Sequence, residues 1–258
     1  MHPARFPRPL LLKYKATMQP RHWSALYKQN PVPDEGLFFT KDLFRYRPHL
    51  PPKDELLTFA AWDLAIGSKN SNDYTVGIAV GIDHEDNLWV LDMLRGRWGN
   101  LDKIANYVID LHVRYNCTLT GIEKGQLELA LMPVLRTAMR KRKTYIALAE
   151  GDSALRPVTD KVVRARPLQG RMQQGTVLFP SDQPWVDPLR NELLRFPAGV
   201  HDDCVDALAW VTRLTSGVAP PPKPSLVPKG EAYDGFKSWR DRLAVLAAGG
   251  RERPFMAR

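Results

Sequence analysis

The chain has 258 residues, enough for one large domain or two small ones, and at 44% hydrophobic and 25% charged it has the composition of an ordinary globular protein. Its net charge of +9 and pI of about 9.6 suit a polyanionic partner. Two isolated cysteines, Cys117 and Cys204, exclude a disulfide framework and a zinc cluster; no stretch approaches the ~20 apolar residues of a membrane span, and the N-terminus lacks the apolar core of a signal peptide.

Residues 1–50, rich in Pro, Arg and aromatics, read as an approach segment. Pro31 to Gly36 is too broken by prolines and glycine for regular structure, Phe38, Phe39, Leu43 and Phe44 form an apolar patch, and Pro48 to Pro52 closes the segment. A regular domain is expected over 51–215. Leu56 to Ala65 reads as a buried strand, Gly67 to Asp73 as a polar turn, Tyr74 to Ile82 as a second strand, Asp83 to Asn87 as a hairpin turn and Leu88 to Leu94 as a third strand. The period then changes. Ile104, Tyr107, Val108 and Leu111 mark an amphipathic helix over 101–115, with Asn100 as its cap. Thr118 to Glu123 is a short strand. A helix follows through Leu127, Leu131, Val134, Leu135 and Ala138, in which Pro133 implies a kink or a start. Tyr145 to Ala149 reads as a fifth strand. Thr159 to Arg166 reads as a helix ended by Pro167, Thr176 to Phe179 as a strand, and Pro188 to Arg195 as a helix capped by Asp187. The last helix, 203–214, has Cys204, Ala207, Leu208, Val211 and Leu214 as its apolar face. Residues 216–258 hold a Pro-rich linker and a tail. There, Phe236, Trp239, Leu243 and Leu246 at helical spacing read either as a disordered tail or as a docking helix.

The order βββαβαβ followed by helices predicts an α/β fold with a mixed sheet, an antiparallel meander and then parallel strands, flanked by helices. The ribonuclease-H-like fold has this order. Its first and fourth strands are neighbours, which would place Asp63 beside Glu123, with a late helix bringing Asp203 over them.

Three acidic stretches interrupt these apolar runs: Trp62-Asp63-Leu64-Ala65-Ile66-Gly67 with Asp73 beyond it, Thr120-Gly121-Ile122-Glu123-Lys124, and His201-Asp202-Asp203-Cys204-Val205-Asp206. A buried carboxylate is costly unless a positive group offsets it. Converging carboxylates therefore read as a ligand set for a divalent cation, and oxygen donors of this kind suit Mg²⁺ or Mn²⁺. In the third stretch Asp202, Asp203 and Asp206 compete for one role. Helix phase sets Asp203 on the flank of the apolar face and the other two further away, and Asp202 could instead cap the helix. Asp73 reads as a turn residue or an auxiliary ligand, and His201 as a local hydrogen-bond partner of the ligands.

These pieces, together with Asp160-Lys161-Val-Val-Arg164-Ala165, the Gly175-Thr-Val-Leu-Phe stretch and Phe196-Pro-Ala-Gly-Val-His-Asp-Asp-Cys-Val-Asp-Ala-Leu-Ala, resemble the nuclease domain of the terminase large subunit of tailed bacteriophages and prophages. The likeness spans about residues 20–215. It implies a metal-dependent endonuclease that cuts concatemeric double-stranded DNA during packaging and virion assembly in the bacterial cytoplasm. It also implies a packaging ATPase, a small terminase subunit and a portal as partners, and no membrane. By the resemblance, Asp63 bridges two ions, Glu123 binds one and Asp203, the second Asp of His-Asp-Asp, binds the other. The chain contains no Gly-x-x-x-x-Gly-Lys-Ser/Thr phosphate loop, so it reads as an isolated nuclease part, a split-gene product or a truncated remnant, and ATP hydrolysis is not expected of it.

Two basic groups are candidates for DNA phosphates. One is Arg140, Lys141, Arg142 and Lys143 at a helix end, which equally suits a solvated terminus; the other is Lys161, Arg164, Arg166 and Arg171, between the second and third acidic stretches. Two other readings compete with the packaging nuclease. A resolvase- or transposase-like nuclease on the same fold would prefer branched DNA. A non-catalytic DNA-binding remnant would not nick plasmid with its acids intact.

Overall fold

The computed structural model describes residues 38–65, 74–199 and 201–223. The Asp73 turn and the expected tail helix lie outside them, as do residues 1–37 of the approach segment.

Six strands form one mixed sheet: β1 (Arg45–Arg47), β2 (Leu57–Asp63), β3 (Thr75–Ile82), β4 (Leu88–Gly96), β5 (Leu119–Ile122) and β6 (Val177–Pro180), in the spatial order β1-β6-β4-β3-β2-β5. The β2–β3–β4 meander is antiparallel, and β5 joins β2, β6 joins β4 and β1 joins β6 in parallel. Five α-helices flank it: α1 (Leu101–Tyr115), α2 (Gln126–Arg142), α3 (Lys161–Gln173), α4 (Val186–Arg195) and α5 (Asp203–Leu214).

Side chains of β2 alternate, as the pleat requires. Leu56, Ala60 and Trp62 join the core under α1 and α2, while Leu57, Phe59 and Ala61 join the core under α3, α4 and α5. The same parity runs on to Asp63, which therefore projects toward α5. On β5, Leu119 belongs to the α5 side and Ile122 to the α1 side, so Glu123 also projects toward α5. Trp62 needs a glycine opposite it. A Cβ on Gly77, its register partner, would fall 2.6 Å from the indole ring.

Several local expectations change. Phe39 and Phe44 are core residues and β1 is an edge strand of the same sheet, so the domain begins by residue 38 rather than at 51. Tyr145 to Ala149 is not a strand: only Leu148 bridges Thr120, with Thr120 N–H donating to Ala147 and Ala149 N–H to Thr120. Pro133 and Pro167 neither start nor end a helix. The carbonyls they leave without a donor belong to Leu129 and Val163, which are 70% and 49% exposed, so water can satisfy them. Asp187 does not cap α4; Trp185 stands at the cap, and Asp187 pairs with Arg190 at 2.7 Å. The 83–87 turn is tied by Asp83, whose carboxylate accepts from Glu85 N–H, Asn87 N–H and the Trp89 indole. Both cysteines are free and buried, and among the described residues no helix is long and apolar enough to cross a membrane.

His112 on α1 lies 2.8 Å from Thr120 Oγ1, and burial depresses its pKa from 6.5 to about 4. The native state thus resists a proton that the unfolded chain accepts. Stability present above pH ~6.5 should drain as the pH falls toward 4. Urea midpoints at pH 7 and pH 4.5 should differ more for the wild type than for His112→Gln; equal differences would show that His112 does not contribute.

Candidate metal centre

One end of the sheet collects the acids. Asp63 closes β2, and Glu123 follows β5 with its N–H donating to Trp62 O at 3.0 Å, so the two carboxylates emerge from adjacent strands on one face. Thr75 ties the end of β2 to the start of β3: its hydroxyl donates to Ala65 O at 2.7 Å and accepts from Ala65 N–H at 3.1 Å. Over this face runs α5, eleven of whose twelve residues are buried because it packs on β2 and β3 below and on α3 and α4 beside it.

That burial corrects the helix-phase expectation for the third stretch. Both Asp203 and Asp206 are buried, in the first turn of α5, where the helix dipole favours negative charge. Asp203 Oδ2 accepts the Tyr74 N–H at 3.2 Å. Asp206 Oδ1 accepts from Arg164 at 2.6 Å, and its Oδ2 stands 3.5 Å from Lys161 Nζ. Asp202 holds the N-cap position without capping; both its oxygens accept from Lys161 at 2.8 Å.

The electrostatics centre on Asp63. Burial, then the charges of Glu123, Asp206 and Asp203, push its carboxyl well above its ordinary value of 3.8, and Lys161 offsets only part of this. Burial alone would lower the Lys161 pKa, but Asp202 and Asp206 outweigh it and raise it. A carboxyl opposed by burial and by three neighbouring carboxylates, all of them oxygen donors, suits a hard divalent cation. Asp63, Glu123 and an α5 aspartate could hold one. Among the described residues no three such side chains are already drawn together closely enough to do so.

Two residues that the sequence reading did not single out support the acids. The Trp210 indole N–H donates to Glu123 Oε2 at 2.6 Å. Trp210 lies one and two turns along α5 from Asp206 and Asp203, so helical spacing could have found it. Glu192 on α4 accepts the Cys204 N–H at 3.0 Å and pairs with Arg95, fixing the first turn of α5. No local sequence signal marks it. His201 stacks edge-on against Tyr74 at 5.4 Å, beside the site.

The basic candidates divide. Lys161 stands at the acids. Arg164, expected on the surface, is buried: it pairs with Asp206, donates to Thr159 O at 3.2 Å and lies 4.7 Å over the Trp210 ring. Arg171 clamps Asp86 at 3.0 Å, on the hairpin at the opposite end of β3 from Asp63. Arg142 pairs with Asp110 at 2.6 Å and ties α2 to α1. Because α2 starts near Glu123 and has 17 residues, Arg140, Lys141, Arg142 and Lys143 lie about 25 Å along its axis from the acids. Arg166 is exposed.

The family model described as the terminase RNaseH-like domain matches residues 60–213. The fold is similar to the human cytomegalovirus terminase nuclease domain, with a TM-score of 0.52 at 14% identity over 73% of this chain and 96% of that one. The large terminase nuclease of thermophilic phage G20c, crystallised with bound magnesium, has a TM-score of 0.48 at 14% identity, covering 70% of this chain and 98% of that one. None of the curated proteins matches. With three-fifths of its length matched by the family model and every acid of the site inside the match, the chain belongs to the terminase RNaseH-like domain family.

Proposed function

We propose that the chain is a divalent-metal-dependent endonuclease that cuts concatemeric duplex DNA for phage genome packaging. The observation that carries this reading is the crowding at Asp63: four carboxylates share one end of the sheet, and burial together with their mutual repulsion calls for a cation. Bound divalent ions, two in this reading, supply an activated water and charge relief on the leaving oxygen. Asp63 and Glu123 would hold them from the strands. We assign the α5 ligand to Asp203, the second Asp of His-Asp-Asp, which the family resemblance favours and which opens α5 among the acids whose charges act on Asp63. Trp210 orients Glu123, and the Tyr74 amide orients Asp203. Lys161, more than half of whose side chain is exposed, can meet a DNA phosphate beside the acids. The packaging ATPase, the small terminase subunit and the portal are the proposed partners.

Supercoiled plasmid nicking tests the reading. Wild-type protein should nick in Mg²⁺ or Mn²⁺ and not in EDTA, and Asp203→Ala should lose nicking while Asp202→Ala retains it. No nicking by wild type would favour the non-catalytic DNA-binding reading, and loss only in Asp202→Ala would reassign the third ligand.

A further inference from the structure

Beside the acids, between α4 and the end of β4, is a pocket of about 190 Å³ lined by Arg95, Asn191, Glu192, Arg195, Pro188 and His201. It is joined to the site on two sides. The Arg95 guanidinium lies 3.7 Å over the Tyr74 ring, and the Tyr74 N–H holds Asp203. Glu192 holds the Cys204 amide next to Asp203.

The pocket presents donors and almost no unspent acceptor. Both Glu192 carboxylate oxygens are occupied, Oε1 by Arg95 and Oε2 by Cys204 N–H. Arg95 Nε and His201 Nδ1 are buried and have no hydrogen-bond partner among the described residues. Two of the residues that line this one pocket thus carry a buried nitrogen that no described residue satisfies. Arg195 and Asn191 are exposed at its mouth, and the Arg195 guanidinium has no ion pair or hydrogen bond among the described residues. Two guanidinium groups, an amide and an imidazole around a small open pocket match the oxygens of a phosphodiester, which arginine forks recognise well.

We infer that this pocket is a phosphate subsite: Arg195 and Asn191 at its mouth, with Arg95 and His201 lining the wall behind them, hold a backbone phosphate of the DNA strand beside the one presented to the acids. The inference rests on the nuclease reading for its substrate, but the subsite acts in binding and not in the chemical step. Arg195 is a positioning residue, not a catalytic one. It fixes strand register and reads no base.

The test uses the full chain and a short fluorescent duplex in EDTA, beside plasmid nicking in Mg²⁺. Arg195→Ala should weaken duplex affinity about five- to tenfold at low salt and reduce the slope of log K against log salt by about one, and Asn191→Ala should weaken it by less. Arg195→Lys should keep the slope. In cleavage, Arg195→Ala should raise KM while leaving kcat within about twofold, a split that a structural defect would not produce. Its melting temperature should match the wild type. If wild type nicks DNA and Arg195→Ala binds with unchanged affinity and salt slope, the subsite falls and the nuclease reading stands. If wild type does not nick but Arg195→Ala shifts affinity and slope, the subsite stands and the nuclease reading falls. If wild type binds no duplex, both fall.

Discussion

Asp63→Asn should abolish metal-dependent cleavage, by a hundred- to a thousandfold or more, and yet make the metal-free protein more stable. Both effects have one cause. Burial and the charges of Glu123, Asp206 and Asp203 raise the Asp63 pKa far above 3.8. A carboxyl whose native pKa is raised binds its proton more tightly folded than unfolded. Its favourable contribution is complete below the unfolded pKa and is lost as the pH rises through the native one. Above the unfolded pKa the metal-free native state therefore bears an unfavourable contribution from this carboxyl, which an amide removes. The amide also removes an anionic donor proposed to hold the metal, and losing one preorganised charged group of this kind costs about 10²–10³ in kcat. Thermal melting separates the parts. In EDTA, Asp63→Asn should melt above the wild type. Mg²⁺ or Mn²⁺ at about a hundred times its Kd should stabilise the wild type by roughly 2.7 kcal/mol, a rise of about 5–10 °C for a domain of this size, and the variant far less. Cleavage retained by Asp63→Asn would remove Asp63 from the metal site; equal metal-induced shifts in the two proteins would do the same.

The adjacency of Asp63 and Glu123 was legible in the sequence because the order of elements sets the first and fourth strands of the regular domain side by side, and the face the two take follows from the pleat. Once β2 and β5 are adjacent, Leu57, Phe59 and Ala61 fix the face that Asp63 takes, and Leu119 fixes the face of Glu123. The third stretch was less legible because helix phase assumes one face in solvent, and α5 has almost none. Asp206 therefore turned out buried where phase set it outward. Arg164 followed the same rule on α3. It shares a buried stripe with Ala165, Leu168 and Met172, a spacing present in the sequence but overridden by the expectation that an arginine seeks solvent. The proline rules failed at Pro133 and Pro167 for a local reason, namely that the residues bearing the orphaned carbonyls lie on exposed faces of their helices. The edge strand Arg45–Arg47 carries no alternation to read, since all three residues are exposed; its place depends on pairing with β6, 130 residues later in the chain and beyond any local pattern.

Arg164→Ala should destabilise the protein by about 3–5 kcal/mol while leaving the salt dependence of DNA binding unchanged. The Arg164–Asp206 pair is 2.6 Å long with both side chains more than nine-tenths buried, and the guanidinium also covers the Trp210 ring. Removing one partner of such a pair strands the other charge, which is where the 3–5 kcal/mol arises. At about 2–4 °C per kcal/mol, melting should fall by roughly 6–20 °C. The stranded Asp206 is one of the charges that raise the Asp63 pKa, so the repulsion at the acids should also grow. Arg164→Lys should not rescue it, because an ammonium cannot reproduce the planar stack on Trp210 together with the bond to Asp206. Arg164→Met with Asp206→Leu should recover most of the loss, since an apolar pair of similar volume leaves no buried charge. A surface phosphate contact predicts the opposite pattern: a melting temperature within a degree or two of wild type and a salt slope reduced by about one. Equilibrium melting and duplex binding on the same three proteins decide between them. A stable Arg164→Ala with a reduced slope would return Arg164 to the DNA-binding surface.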